Sequence, residues 1–279
     1  MRLFFFIAAL TAAAPAAADA PDARASYVER RGVLELDAQC HLFTPNIRAA
    51  LQATTGQARG SLLRGGWSIA QVQNLEQAVV GAARARSCQD PRTTASAANA
   101  RRASATWINA SAAQFPGWTR AWYARRAASP EGWRLSQAID APATATFGVR
   151  LSNNREQLTL TLAAPRGAPA PSSASLAMRD ATRFAPVDIA LPQRIAYGLR
   201  AGAPSPATAT QFTAASRAVE QTPTGGALVV FTFPDTAFRN LLSLDPRESV
   251  EIRVQGAAPQ TLFADVGDVA VARAFLAIQ

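Results

Sequence analysis

Two cysteines constrain this chain more than any other feature. Cys40 and Cys88 bracket a segment that reads as two helices joined by Gly65-Gly66. The first helix follows Thr44, suited to the N-cap, and Pro45, suited to the first helical position. Ile47, Leu51, Ala58 and Leu62 then recur at helical spacing. The second starts at Ser68, with Gln71 at capping-box spacing and Trp67 and Val72 at hydrophobic-staple spacing. Its apolar face is Ile69, Val72, Leu75, Val79 and Ala82. Two helices of similar length joined by a tight turn run antiparallel, which brings the start of one beside the end of the other. A Cys40–Cys88 disulfide is therefore expected; redox catalysis more often uses cysteines close in sequence. A third helix is predicted after Asp90-Pro91, with Ala105, Ile108, Ala112 and Phe115 as its stripe and Pro116-Gly117 as its stop.

The N-terminus agrees with an oxidising destination. Met1-Arg2 precedes the apolar run Leu3–Leu10 and a small-residue tail, Thr11–Ala20, the three parts of a secretory signal. Ala16-Ala17-Ala18 and Ala18-Asp19-Ala20 both fit as cleavage sites. A membrane-spanning helix needs roughly 20 apolar residues, and Pro15 and Asp19 interrupt this run sooner. The chain is thus expected to be a bacterial periplasmic or secreted protein with no transmembrane span after cleavage.

The basic residues are all arginine. With no lysine there is no Schiff base, no Ser-x-x-Lys pair and no phosphate-loop lysine. Charge is uneven: 15 arginines stand against 7 acidic residues from Pro21 to Ala138, and 12 against 11 from Ile139 to Gln279. A basic first half outside the cytoplasm suits an anionic envelope component or an acidic protein; nucleic acid is not expected.

Between Phe115 and Arg134 lie Trp118, Trp122 and Trp133, interleaved with Arg120, Arg125, Arg126 and Arg134. The spacing of Trp118 and Trp122 places them on one helical face. Such a mix can grip an anionic polymer by stacking and cation–π contacts, or fill a seam between domains. Trp118, Arg120, Trp122, Arg125, Arg126 and Trp133 are the candidate binding residues.

After Pro142 the periodicity changes to that of strands. Thr146–Leu151 and Gln157–Leu162 alternate apolar and polar residues around an Asn153-Asn154 turn. Pro165–Pro171 reads as a loop, Ser175–Met178 and Ile195–Leu199 as strands, and Ala227–Phe233 as a strand buried on both faces. A short helix capped by Asp235, strands at Val250–Val254 and Thr261–Phe263, and a last helix capped by Asp268 complete the reading. In the order of its elements alone, the tail from Gly226 to Gln279 resembles the β-sandwich of small exported proteins of the invasion-associated locus B type. The resemblance implies a sandwich and carries over no residue.

The fold class expected is α+β: a signal at 1–20, a disulfide-clamped helical domain at 21–117, an aromatic and arginine-rich junction at 118–140, and a strand-rich, sandwich-like domain with two short helices at 141–279. No catalytic motif, metal-ligand spacing or cofactor signature is present. His41, the lone histidine, has no nucleophile at a recognisable spacing. Asp265 and Asp268 read as structural rather than as metal ligands. The function expected is non-catalytic binding of a protein or an anionic envelope polymer. The alternatives are a structural or inhibitory module, or a carboxylate-dependent polysaccharide hydrolase drawing on Glu29, Glu35, Glu76 or Glu131.

Overall fold

The computed structural model describes residues 20–139, 144–152, 154–164, 167, 169–221 and 226–278. Apart from Ala20, the expected signal lies outside this set, as do Asn153 and part of the Pro165–Pro171 loop. Among the described residues the architecture is α+β, with a helical N-terminal region and two antiparallel sheets.

Four helices come first: α1 (Ala20–Cys40), α2 (Pro45–Arg64), α3 (Ile69–Arg84) and α4 (Pro91–Asn109). The sequence reading lacks α1. Its buried side chains Ala23, Tyr27, Val33 and Leu36 follow a helical stripe, diluted by the arginines and glutamates between them. The α3 capping box is present in full: Gln71 N–H donates to Ser68 Oγ (3.1 Å), and Ser68 N–H to Gln71 Oε1 (2.8 Å). Asp90 caps α4 by accepting from Arg92 N–H (2.8 Å).

The disulfide joins Cys40 to Cys88, with their Cα atoms 5.7 Å apart. The route differs from the expected hairpin, because α2 and α3 pack mainly on α1 and little on each other. Arg31 pairs with Glu76 and Arg84 with Glu35, so α1 and α3 run in the same direction and their C-terminal ends meet at the disulfide. Asp37 pairs with Arg48 across the α1–α2 turn.

The large sheet has the order β1-β2-β3-β4-β5-β9-β8, built from β1 (Ala112–Phe115), β2 (Trp122–Arg125), β3 (Trp133–Ile139), β4 (Ala145–Ser152), β5 (Arg155–Ala164), β8 (Ser216–Gln221) and β9 (Ala227–Thr232). The small sheet has the order β11-β10-β6-β7, from β6 (Ser173–Arg179), β7 (Ala209–Thr213), β10 (Ser249–Gln255) and β11 (Gln260–Asp265). The sheets share one apolar core that includes Phe115, Trp122, Phe147, Leu160, Leu176, Phe231 and Ile252. Helices α6 (Asp235–Leu242) and α7 (Val269–Ala277) add Leu241 and Phe275 to it. The β4–β5 hairpin forms as expected, with Ser152 paired to Arg155 and Asn154 at φ 59°.

Several local expectations change. The third helix stops at Asn109, and Ala112 and Phe115 belong to β1. Trp118 and Trp122 do not share a helix. In β2, Trp122 and Ala124 are buried while Tyr123 and Arg125 face out, a period of two. Ile195–Leu199 is not a strand but the end of helix α5 (Leu191–Tyr197) and part of a 3-10 turn, Gly198–Gly202. Pro192 stands in its first turn, and its buried residue is the charged Arg194 while Ile195 and Tyr197 are exposed, so no apolar stripe marks it as a helix. The N-cap of α6 is Pro234, with Asp235 inside the first turn.

Helix α2 meets α7 through two glycines one turn apart. A Cβ on Gly56 would come 3.1 Å from Val271 Cγ2, and one on Gly60 would overlap Asp268 Oδ1. The bare backbone there lets the helical region dock closely on the sheets.

Candidate functional site

The docking seam carries a network of buried ions. Asp268 makes no cap bond. Its carboxylate instead receives Arg64 Nη1 (2.6 Å) and Nη2 (2.9 Å), and burial pushes its pKa up. Asp265 Oδ2 accepts from Thr119 N–H, Thr119 Oγ1 and Arg120 N–H at 2.8, 3.0 and 2.9 Å, and Arg194 Nη2 lies 3.5 Å from its Oδ1. Arg247 pairs with Asp245 and Asp188, and Arg179 pairs two-fold with Glu248. Both aspartates first weighed as a possible metal or acid pair are thus engaged by arginines.

The six candidate binding residues are not brought to one surface. Trp118 lies under the Arg194 guanidinium, 5.3 Å from ring centroid to Cζ. Arg120 reaches Phe263 O (3.3 Å). Trp122 is fully buried and donates to Asp265 O and Val266 O, each at 3.0 Å. Arg126 donates to Trp107 O (2.9 Å) and Ile108 O at the end of α4, and covers the Phe275 ring at 4.7 Å. Trp118 and Arg126 thus lie against the helical region, beside Leu63 and Arg64 of α2 and at the end of α4, whereas Arg120 and Trp122 are held within the sheets. Arg125 points out from β2, and Trp133 lies on the outer face of the large sheet.

The glutamates weighed for hydrolysis scatter as well. Glu35 and Glu76 are tied to Arg31 and Arg84 between helices, and the Arg84 contact holds the Glu35 carboxyl below the usual range. His41 is exposed just past the end of α1, with φ 51° and its N–H on Asp37 O (2.9 Å).

The charged cleft that stands out was not singled out from sequence. It has a volume of about 410 Å³ and lies between α2, the turn after β6 and the turn after α6. Arg59 on α2, Arg179 and Arg183 line it, with Thr182, Ser243 and Asp245. Arg179 is neutralised by Glu248, and Asp245 by Arg247. Arg59 forms no ion pair among the described residues, and Arg183 lies over the Phe184 ring (5.5 Å). The wall is held firmly. Thr182 N–H and Oγ1 donate to Asp180 Oδ1 (3.0 and 2.6 Å), and Asn240 of α6 bonds both Ala181 N–H (3.2 Å) and Arg179 O (2.9 Å). The Thr182 hydroxyl first, and the Arg183 charge more weakly, keep the Asp180 carboxyl below its ordinary range. The cleft therefore offers two guanidinium groups to an anion, while its Thr182 and Ser243 hydroxyls are already spent on Asp180 and Arg239 O. The only sequence signal for it is the Asp180-Ala-Thr-Arg turn, an Asx pattern that speaks of backbone geometry and not of a ligand.

No family model, no curated protein and no solved structure matches this chain.

Proposed function

We propose that this is an exported, non-catalytic binding protein that holds carboxylate or phosphate groups of an anionic envelope polymer in the Arg59–Arg183 cleft. The observation that carries this reading is that Arg179 and Asp245 are matched in pairs, whereas Arg59 has no ion pair among the described residues and Arg183 acts only weakly on Asp180, which leaves most of their charge to a ligand. The Cys40–Cys88 disulfide supports an oxidising compartment. Among the described residues no helix is long and apolar enough to cross a membrane.

The test is calorimetric titration of the mature chain with polyphosphate and with a polyglucuronate. Each of Arg59→Ala and Arg183→Ala is expected to weaken binding by about tenfold, the scale of one charge-assisted hydrogen bond. Unchanged affinity in both variants rejects the cleft.

A protein partner is the second reading, favoured by Val187, Ile195 and Tyr197, which are 68%, 72% and 65% exposed on the connection between β6 and β7. A protein captured from envelope extract that is lost with Ile195→Glu, and kept with Arg59→Ala, would favour it.

A further inference from the structure

A second cleft, of about 480 Å³, lies on the outer face of the large sheet, away from the arginines of the first. Its chemistry is different. Trp133 forms one wall; Thr144 and Thr146 bring hydroxyls, and Arg150 and Glu220 bring a matched ion pair. Arg150 stands on β4 and Glu220 on β8, with β5 and β9 between them in the sheet. Their side chains still meet, Nη1 to Oε1 at 3.1 Å and Nη2 to Oε2 at 3.5 Å, so the pair bridges two intervening strands. The same guanidinium donates to Glu131 O (3.0 Å) and lies 5.7 Å from the centre of the Trp133 ring.

One polar atom behind the wall of this cleft, closed off from solvent, has no partner. Thr161 is 9% exposed, and its hydroxyl has no hydrogen-bond partner. A buried hydroxyl without a partner is costly in a sheet where valine would pack equally well. Its register partner on β4 is Thr146, which also lines the cleft.

We infer that this cleft is a binding site for a saccharide, taking a pyranose ring against Trp133 and its hydroxyls on Arg150 and Glu220. Each part of a sugar finds a counterpart. The C–H face of the ring packs on indole, and vicinal hydroxyls bridge a guanidinium and the carboxylate paired with it. Arg150 pairs with Glu220, and the Glu131 carboxyl, held below its ordinary range first by the Ser129 hydroxyl, adds a negative charge to the lining, so the site turns away anions, unlike the Arg59–Arg183 cleft. The two sites are independent of one another.

The test is titration of the intact chain with chitotetraose, cellotetraose and maltotetraose at millimolar concentration, followed by tryptophan emission and by calorimetry. At least one is expected to bind, with Trp133→Ala and Arg150→Ala each weakening it about tenfold or more. Near-ultraviolet circular dichroism checks that the variants keep the fold. Thr161→Val is expected to raise the Tm and to leave saccharide binding unchanged, because the threonine oxygen is closed off from the cleft. Arg59→Ala is expected to leave saccharide binding unchanged. The inference is overturned if none of the three sugars binds, or if binding survives both Trp133→Ala and Arg150→Ala.

Discussion

Arg64 on α2 and Asp268 at the start of α7 are 204 residues apart in sequence and meet through two parallel hydrogen bonds, with both side chains buried. This ion pair fastens the helical region to the sheets. Removing one partner strands a charge where water does not reach. Arg64→Met is expected to cost about 3–5 kcal/mol in urea unfolding, and adding Asp268→Leu to restore much of it. If the double variant is as unstable as the single one, the pair is not what the mutation disturbed.

The glycine notch beneath this pair makes a sharper prediction. An exposed helical glycine replaced by alanine ordinarily gains about 0.5–1 kcal/mol. Gly81 on α3 has open space where its Cβ would be, and Gly81→Ala should stabilise in that range. Gly60→Ala should destabilise by about 1–3 kcal/mol through overlap with Asp268 Oδ1. Thermal melts of the two variants against the parent should therefore move in opposite directions.

Reduction of Cys40–Cys88 reopens a loop spanning 48 residues of sequence separation. In the chain-entropy account this removes about 4 kcal/mol of stability. The expected result is a fall in Tm of the helical region on adding reductant, matched by a Cys40→Ser/Cys88→Ser variant. Equal melting of the oxidised and reduced chains would show that helix packing alone closes the bundle.

Acid should weaken the fold. Arg84 holds the Glu35 carboxyl below its usual range, and Arg247 does so for Asp188. Burial pushes the Asp37 carboxyl up, but Arg48 and the Phe43 N–H outweigh it and leave the group lowered. With folded values below unfolded ones, the unfolded chain binds more protons on the acid side. This stability is complete above about pH 4–4.5 and lost as pH falls through the folded values. Melts from neutral pH down to pH 2 should show a steady decline, shallower in Asp37→Asn; a flat profile would contradict the role of these pairs.

Features written in short stretches of chain were legible in the sequence. The Ser68/Gln71 cap, the β4–β5 hairpin, the Ala227–Phe233 strand and the disulfide each rest on a few neighbouring residues or on one pairing. Helix α1 was missed because its stripe is diluted by arginines and glutamates that later pair with α3. Trp118 and Trp122 have helical spacing, yet Trp122 is placed by the pairing of β2 with β1 and β3, and Trp118 lies in the connection between β1 and β2. Asp268 looked like a cap because local pattern names a helix start, whereas its partner lies on α2. Neither cleft was legible as a site. Arg59 and Arg183 are separated by α3, α4 and six strands, and Arg150 and Glu220 by two strands of the sheet.

The order of strands has a consequence for how the chain reaches this state. It leaves the large sheet after β5, lays down β6 and β7 in the small sheet, returns for β8 and β9, and leaves again for β10 and β11. Neither sheet is a continuous piece of polypeptide: β1–β5 form a local meander, but the large sheet is completed only when β9 returns to β5, and the small sheet only when β10 returns to β6, whereas α1–α4 are contiguous and closed by their own crosslink. The helices are suited to fold early and quickly, and the interleaved sheets to assemble slowly and together, as the cost of closing long loops requires.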